Sequence, residues 1–316
     1  MLPATFQAPH LRVLLLSYVS LPLGSPLLST ATGLTALEFK DILPSAHFPP
    51  SYLVARLSSL PQLECLSIGF KFADTTRAIE SHPSHLVGPL VTLPSLRLCF
   101  FEGIGTYLEG FLARIRTPLL ESLRIRLFNQ LTFSFPHLLR LINTTENFRF
   151  SSAQLFFFQG LVGLTADRPE GDIQIIVGCR HIDWQVSAAT QIFSALVPAL
   201  SVVERLVLHY EEHDLPSEWD DDVRRTGWRD LLTPFTSVKD LHVDGGLIQE
   251  LSRSLRTEGE ESSLGLLPEL KELIYYKDGD PSEDPSEAFA SFINARQIEG
   301  HPVTVIPHPP SSFSFI

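Results

Sequence analysis

Leu63-Glu64-Cys65-Leu66-Ser67-Ile68 carries apolar residues at its first, fourth and sixth places, and this L-x-x-L-x-L phrase returns along the chain. It recurs as Leu11, Leu14, Leu16; Leu34, Leu37, Phe39; Leu96, Cys99, Phe101; Leu120, Leu123, Ile125; Val203, Leu206, Leu208; Val238, Leu241, Val243; and Leu270, Leu273, Tyr275. The intervals are about 20 to 35 residues, the range of solenoid repeats. Alternation at the last two apolar places makes a short strand with one buried face, and the apolar residue three places earlier closes the turn into it. One unit cannot bury that face, whereas stacked neighbours can. The expected fold class is α/β: a solenoid with irregular repeat lengths, parallel strands on its concave face and helices or loops on its convex face. It is expected to fill residues 1–306, with 307–316 as a C-terminal tail.

Composition fits a folded chain. Of 316 residues, 44% are hydrophobic and 19% charged, which supplies ample core material. Three cysteines, Cys65, Cys99 and Cys179, are odd in number, widely spaced and set in apolar surroundings. They read as reduced core residues rather than a disulfide framework or zinc site, which predicts an intracellular location, cytoplasmic or nuclear. The Asn143-Thr144-Thr145 sequon would matter only in a secreted protein, and no apolar run reaches the length of a membrane span. The net charge of −12 is uneven: residues 1–158 hold 12 Lys/Arg against 9 Asp/Glu, and residues 159–316 hold 12 against 27. The acidic second half would repel a phosphate backbone, so neither nucleic acid nor membrane is an expected partner.

Between the strand phrases lie segments with helical spacing. Tyr107, Leu108, Phe111, Leu112 and Ile115 share one helical face, as do Val186, Ala189, Ile192, Phe193 and Leu196. Leu247, Ile248, Leu251 and Leu255 make a third face, and Ala288, Phe289, Phe292 and Ile293 a fourth. Pro61, Pro94, Pro118 and Pro268 stand just before strand phrases, where they are expected to stop the preceding helix. Phe148 to Phe157 and Ile173 to Val177 read as two further strands. They are either a hairpin joined by Gly160 to Gly171 or, the preferred reading, two more solenoid rungs. Val303 to Val305 reads as a closing strand.

The ordinary leucine-rich repeat places Asn or Cys three residues after the strand phrase, and here those places hold Val19, Ile42, Lys71, Ile104, Phe128, Glu211, Gly246 and Asp278. A leucine-rich-repeat array without that ladder would have uneven curvature. A more specific likeness lies in Trp228, Leu231, Leu232, Pro234, Phe235, Val238, Lys239, Leu241, Val243, Gly246 and Leu247, followed by Leu266, Leu267, Pro268, Leu270 and Leu273. With Phe289, Phe292, Ile293, Ala295, Arg296, Gly300, Pro302 and Val303, these residues resemble the C-terminal leucine-rich repeats of fungal F-box-like proteins. The resemblance implies an adaptor in which an F-box binds Skp1 in a cullin ubiquitin ligase while the repeats select the protein to be modified. Skp1 is expected as a partner only with an F-box upstream, because the first repeat begins ten residues after Met1. Leu215-Pro216-Ser217-Glu218 spells the opening LPxE of an F-box but lies in an acidic loop without the pattern that should follow. The alternatives are a truncated product, a member that lost its F-box, or a module whose partner supplies it.

One arrangement mimics an active site. His209-Tyr210-Glu211-Glu212-His213 matches the H-x-x-E-H phrase of inverted zinc peptidases, which needs helical spacing to bring both rings to one metal. Leu206 and Leu208 make the preceding residues a strand and Pro216 follows closely, so a loop without zinc is expected. The acidic run Asp220 to Asp222 reads as a solvated loop. No phosphate-cradling glycine loop, nucleophile elbow or spaced cysteine set occurs in the sequence, and no enzyme, cofactor or resident metal is expected.

Binding is expected on the strands. The residue between the last two apolar places of each phrase points away from the core, which places Leu15, Glu38, Ser67, Phe100, Arg124, Val207, His242 and Ile274 along one surface. Phe100, Arg124, Val207 and His242 are the expected contacts for a protein partner. Arg97, Arg124 and Arg126 would add a cationic patch for a carboxylate or phosphate on it. That partner is either the substrate of a ubiquitin ligase or, alternatively, a component of a scaffold with no ligase link.

Overall fold

The computed structural model describes residues 7–18, 26–43, 48–71, 90–128, 134–168, 171–179, 181–210, 221–256, 262–276 and 285–308. Within them the chain is mixed α/β, with a large, mostly parallel sheet, helices, and no closed barrel. It divides into two compact units: residues 1–130, 134–148 and 169–175 in the first, and 131–133, 149–168 and 176–316 in the second.

In the first unit, strands β1 (Val13–Ser17), β2 (Ala36–Ile42), β3 (Cys65–Phe70), β5 (Leu98–Gly103) and β7 (Ser122–Leu127) pair in that order, all parallel. Short strands β4 (Val91–Thr92) and β6 (Ile115–Arg116) form a separate two-stranded parallel sheet. Helices α1 (Leu27–Thr30), α2 (Pro50–Leu57), α3 (Gly105–Leu112) and α4 (Pro136–Thr144) fill the crossovers. In the second unit, β8 (Ser152–Phe158) lies between β9 (Leu161–Arg168), to which it is antiparallel, and β11 (Arg205–Tyr210). From β11 the parallel order continues through β12 (Asp240–Val243) and β13 (Glu272–Tyr276) to β14 (Thr304–His308). Its helices are α5 (Ile182–Leu200), α6 (Asp221–Leu232), α7 (Ile248–Leu255), α8 (Pro285–Ala288) and α9 (Ala290–Ile298).

Most parallel steps of the large sheet are made the same way. The carbonyl just before one strand accepts two successive amides at the start of the next: Glu64 and Cys65 donate to Thr35, Arg97 and Leu98 to Glu64, Glu121 and Ser122 to Arg97. Lys239 and Asp240 donate likewise to Glu204, and Lys271 and Glu272 to Lys239. The register aligns the apolar positions of the phrases, so Leu37, Leu66, Cys99 and Leu123 sit side by side, as do Leu206, Leu241 and Leu273. All of these are 4% exposed or less. Helices cover that face. Tyr107 of α3 packs its ring on Phe70 and Phe101, and Trp228 of α6 packs on Phe157 of β8.

The four prolines do something other than stop helices. Leu63, Leu96, Leu120 and Leu270 donate their amides to Leu60, Leu93, Thr117 and Leu267, three residues back. Pro61, Pro94, Pro118 and Pro268 therefore occupy the second place of a four-residue turn, where a fixed φ near −65° is already correct. The first apolar residue of each phrase closes that turn.

Three further expectations change. Ile115, placed on the helical face of α3, belongs to β6, because the helix ends at Leu112. The interval Gly160 to Gly171 holds a strand of its own, β9, so the preferred pair of successive rungs is replaced: Ser152–Phe158 forms a hairpin with Leu161–Arg168, and not with Ile173–Val177. Gly160, at φ +82°, supplies the left-handed residue of its turn. The last of these strands, β10 (Gly171–Gly178), begins in the first unit, where the Asp172 amide donates to the Glu121 carbonyl. Helix α6 opens at Asp221, inside the run read as a loop, since acidic residues are favoured in a first helical turn. His213, Leu215 to Glu218, Val19, Glu211, Asp278 and residues 309–316 lie outside the described residues; β14 runs through Pro307 to His308.

Candidate protein-binding face

Strand alternation sends every second side chain away from the helices, and the pairing register decides which of them meet. In the first unit Leu15 pairs with Glu38, Glu38 with Ser67, Ser67 with Phe100 and Phe100 with Arg124, so five of the expected residues form one transverse row. In the second unit Val207 pairs with His242 and His242 with Ile274, giving a second row of three.

The first row is the more exposed. Leu15 is 61% exposed and Phe100 36%, and the adjoining Val13 and Leu98 are 51% and 47% exposed. The arginines do not form a bare cationic patch. Arg97 pairs with Glu121, Arg124 Nε lies 3.7 Å from Asp172 Oδ2, and Arg126 Nε lies 3.8 Å from Glu102 Oε1. Each pair keeps much of its surface in water and is worth at most about 1 kcal/mol, so these side chains can exchange partners at low cost. Asp172 comes from β10, and the sequence gives no hint that this carboxylate would reach Arg124.

The second row is largely covered. Val207 is 8% exposed, contrary to its expected place at the surface. It lies in register between Gln154 on one side and His242 on the other, both half-buried. His242 is half-buried, with Nδ1 3.2 Å from the Tyr276 hydroxyl. His209, two residues beyond Val207, is 5% exposed. Its ring stacks on Phe156 at a centroid distance of 5.2 Å, and its Nδ1 lies 3.3 Å from Asp244 Oδ2. The same carboxylate oxygen accepts the Tyr210 amide at 2.9 Å. Burial, and after it the Asp244 charge, pushes the Tyr276 phenol above its ordinary pKa. His209 thus serves as a packed strand residue held by a carboxylate. Asp244 and Tyr276 escape the phrase pattern, although their spacing from His242 and Ile274 puts them on the same face.

Chemistry elsewhere is sparse. No group of three or more His, Cys, Asp or Glu suited to a metal ion occurs among the described residues, and no helix among them is long and apolar enough to cross a membrane. Cys99 and Cys179 are buried free thiols, pushed up by burial to about 12 and about 11. Compared with known protein families and with curated proteins, the chain matches none.

Proposed function

We propose that this chain is a non-catalytic protein-binding module of the leucine-rich-repeat type, which receives a protein partner on the strand face of its first unit. The observation that carries the reading is the row from Leu15 to Arg124. At one end of the row exposed Phe100, with Leu98 beside it, adjoins arginines whose ion pairs are open to water; exposed Leu15 and Val13 stand at the other end, beyond Glu38 and Ser67. An exposed aromatic beside an arginine is a frequent anchor of protein–protein contacts. The likeness to fungal F-box-like repeats supports a role in selecting the substrate of a ubiquitin ligase.

The test is capture from cell extract with the wild-type chain and with Phe100→Ala/Arg124→Ala, using unfolding curves as a control. The double variant should retrieve the partner at least tenfold less well while its unfolding midpoint stays unchanged, because both side chains face water in the free protein. Equal capture by both chains would sink the assignment to this face. Skp1 and cullin retained with a longer chain carrying an F-box would favour the ligase reading; a partner stably held without them favours a scaffold.

A further inference from the structure

Strand β1 is paired on one side only: β2 is its neighbour, and no other described strand lies against it. In a parallel pair alternate residues turn both backbone groups toward the partner strand, and the residues between them turn theirs away. The Arg12 carbonyl accepts the Thr35 and Ala36 amides, and the Tyr18 amide donates to the Lys40 carbonyl, so the even-numbered residues face β2. Val13, Leu15 and Ser17 therefore present their N–H and carbonyl groups to the open side.

Such an edge is a template for another strand, and proteins blunt it with charge, proline or a bulge. The last strand of the second unit, β14, is blunted in this way. Its Thr304 amide donates to the Lys271 carbonyl, which turns Pro307, a residue without an N–H, to the outer side. Strand β1 has none of these devices. Val13-Leu14-Leu15-Leu16-Ser17 carries no charge and no proline, and its register with β2 runs unbroken. The side chains are as uncovered as the backbone, Leu15 at 61% and Val13 at 51% exposed. The preceding Arg12 is turned to its own chain, where it donates to the Gly33 carbonyl and to Gln62 Oε1.

We propose that β1 pairs with β1 of a second copy of this chain, antiparallel about a twofold axis at Leu15. Under that rotation donors meet acceptors: Leu15 exchanges both hydrogen bonds with Leu15 of the second copy, and Val13 does so with Ser17 on either side. The two exposed Leu15 side chains cover each other across the axis, and Arg12 falls opposite Tyr18, so no like charges are opposed. A second copy suits the edge better than an unrelated strand because closure about the axis consumes both open edges at once. This contact does not rest on the reading of Phe100 and Arg124, which stand on β5 and β7.

Sedimentation equilibrium of the full chain across a concentration series should reach twice the mass of one chain and stop there. Leu15→Lys and Leu15→Glu should each remain monomeric alone and associate when mixed, since only a twofold contact sets this position against itself. Hydrogen exchange needs no variant: in the wild-type chain the peptide spanning residues 11–18 should gain protection where the dimer forms and lose it on dilution. A wild-type chain that stays monomeric, either charged variant associating alone as the wild type does, a mixture that fails to pair, or unchanged exchange in residues 11–18 overturns the proposal. Phe100→Ala/Arg124→Ala should dimerise as the wild type does. Loss of the dimer in that variant would also overturn it, whereas loss of partner capture alone leaves the dimer contact standing.

Discussion

Leu241 is the residue on which the register can be tested most sharply. Its side chain is 0% exposed and lies in register between Leu206 and Leu273, each also 0% exposed, on a strand flanked on both sides. Truncating a buried leucine costs about 2–5 kcal/mol, the larger values arising where surroundings cannot close on the hole. Here β11 and β13 hold β12 through backbone hydrogen bonds, so Leu241→Ala should fall in the upper half of that range. Leu241→Asp adds an unpaired carboxylate among leucines, a further penalty of several kcal/mol. Against a usual folding stability of about 5–15 kcal/mol, the second unit of that variant should not survive. Urea unfolding followed by fluorescence reports this directly, because Trp228, 1% exposed, packs in the same unit. The adjacent His242→Ala is the control and should cost only about 1 kcal/mol, the worth of one hydrogen bond. If Leu241→Ala costs less than about 1 kcal/mol, or Leu241→Asp unfolds with the wild-type midpoint, the assignment of Leu241 to the buried face is wrong.

Other outcomes follow from local geometry. A Cβ on Gly246 would collide with the Tyr210 ring at Cδ1, so Gly246→Ala should cost about 1–3 kcal/mol and be largely rescued by Tyr210→Ala in a double-mutant cycle. Glu299 is held below the ordinary carboxylate range by hydrogen bonds from the Ser263 hydroxyl and amide and from the Ser262 hydroxyl. Its folded pKa lies below its unfolded one, so its contribution is complete above about pH 4.3 and is lost as pH falls through the folded value. The stability curves of wild type and Glu299→Gln should accordingly separate near neutrality and converge in acid; a constant gap would refute the linkage. Iodoacetamide at pH 8 should modify half-buried Cys65 before Cys99 and Cys179, whose thiols are buried and pushed to about 12 and about 11, as peptide mapping would read.

What was legible in the sequence was local and periodic. Each strand phrase appears as a strand because alternation over three residues specifies which face is buried, and the parallel order of neighbours follows because the crossovers are long enough to return the chain to the same end. Helical spacing was equally plain in α5, where Val186, Ala189, Ile192, Phe193 and Leu196 all lie within one helix and are buried as their periodicity requires. The row Leu15, Glu38, Ser67, Phe100, Arg124 could be written down from the phrases alone, since a side chain between two inward ones must point outward. Tertiary structure decided the rest. Whether an outward residue reaches water depends on what the sheet brings beside it, so Phe100 is 36% exposed while Val207, in register between Gln154 and His242, is 8% exposed. Whether an arginine is free depends on which strand arrives beside it, and Asp172 reaches Arg124 only because β10 begins next to β7. The antiparallel strand β9 depends on a hairpin at Gly160 that no repeat phrase announces. Periodicity is a property of a few neighbouring residues, whereas cover, charge pairing and cavities belong to residues brought together from distant parts of the chain.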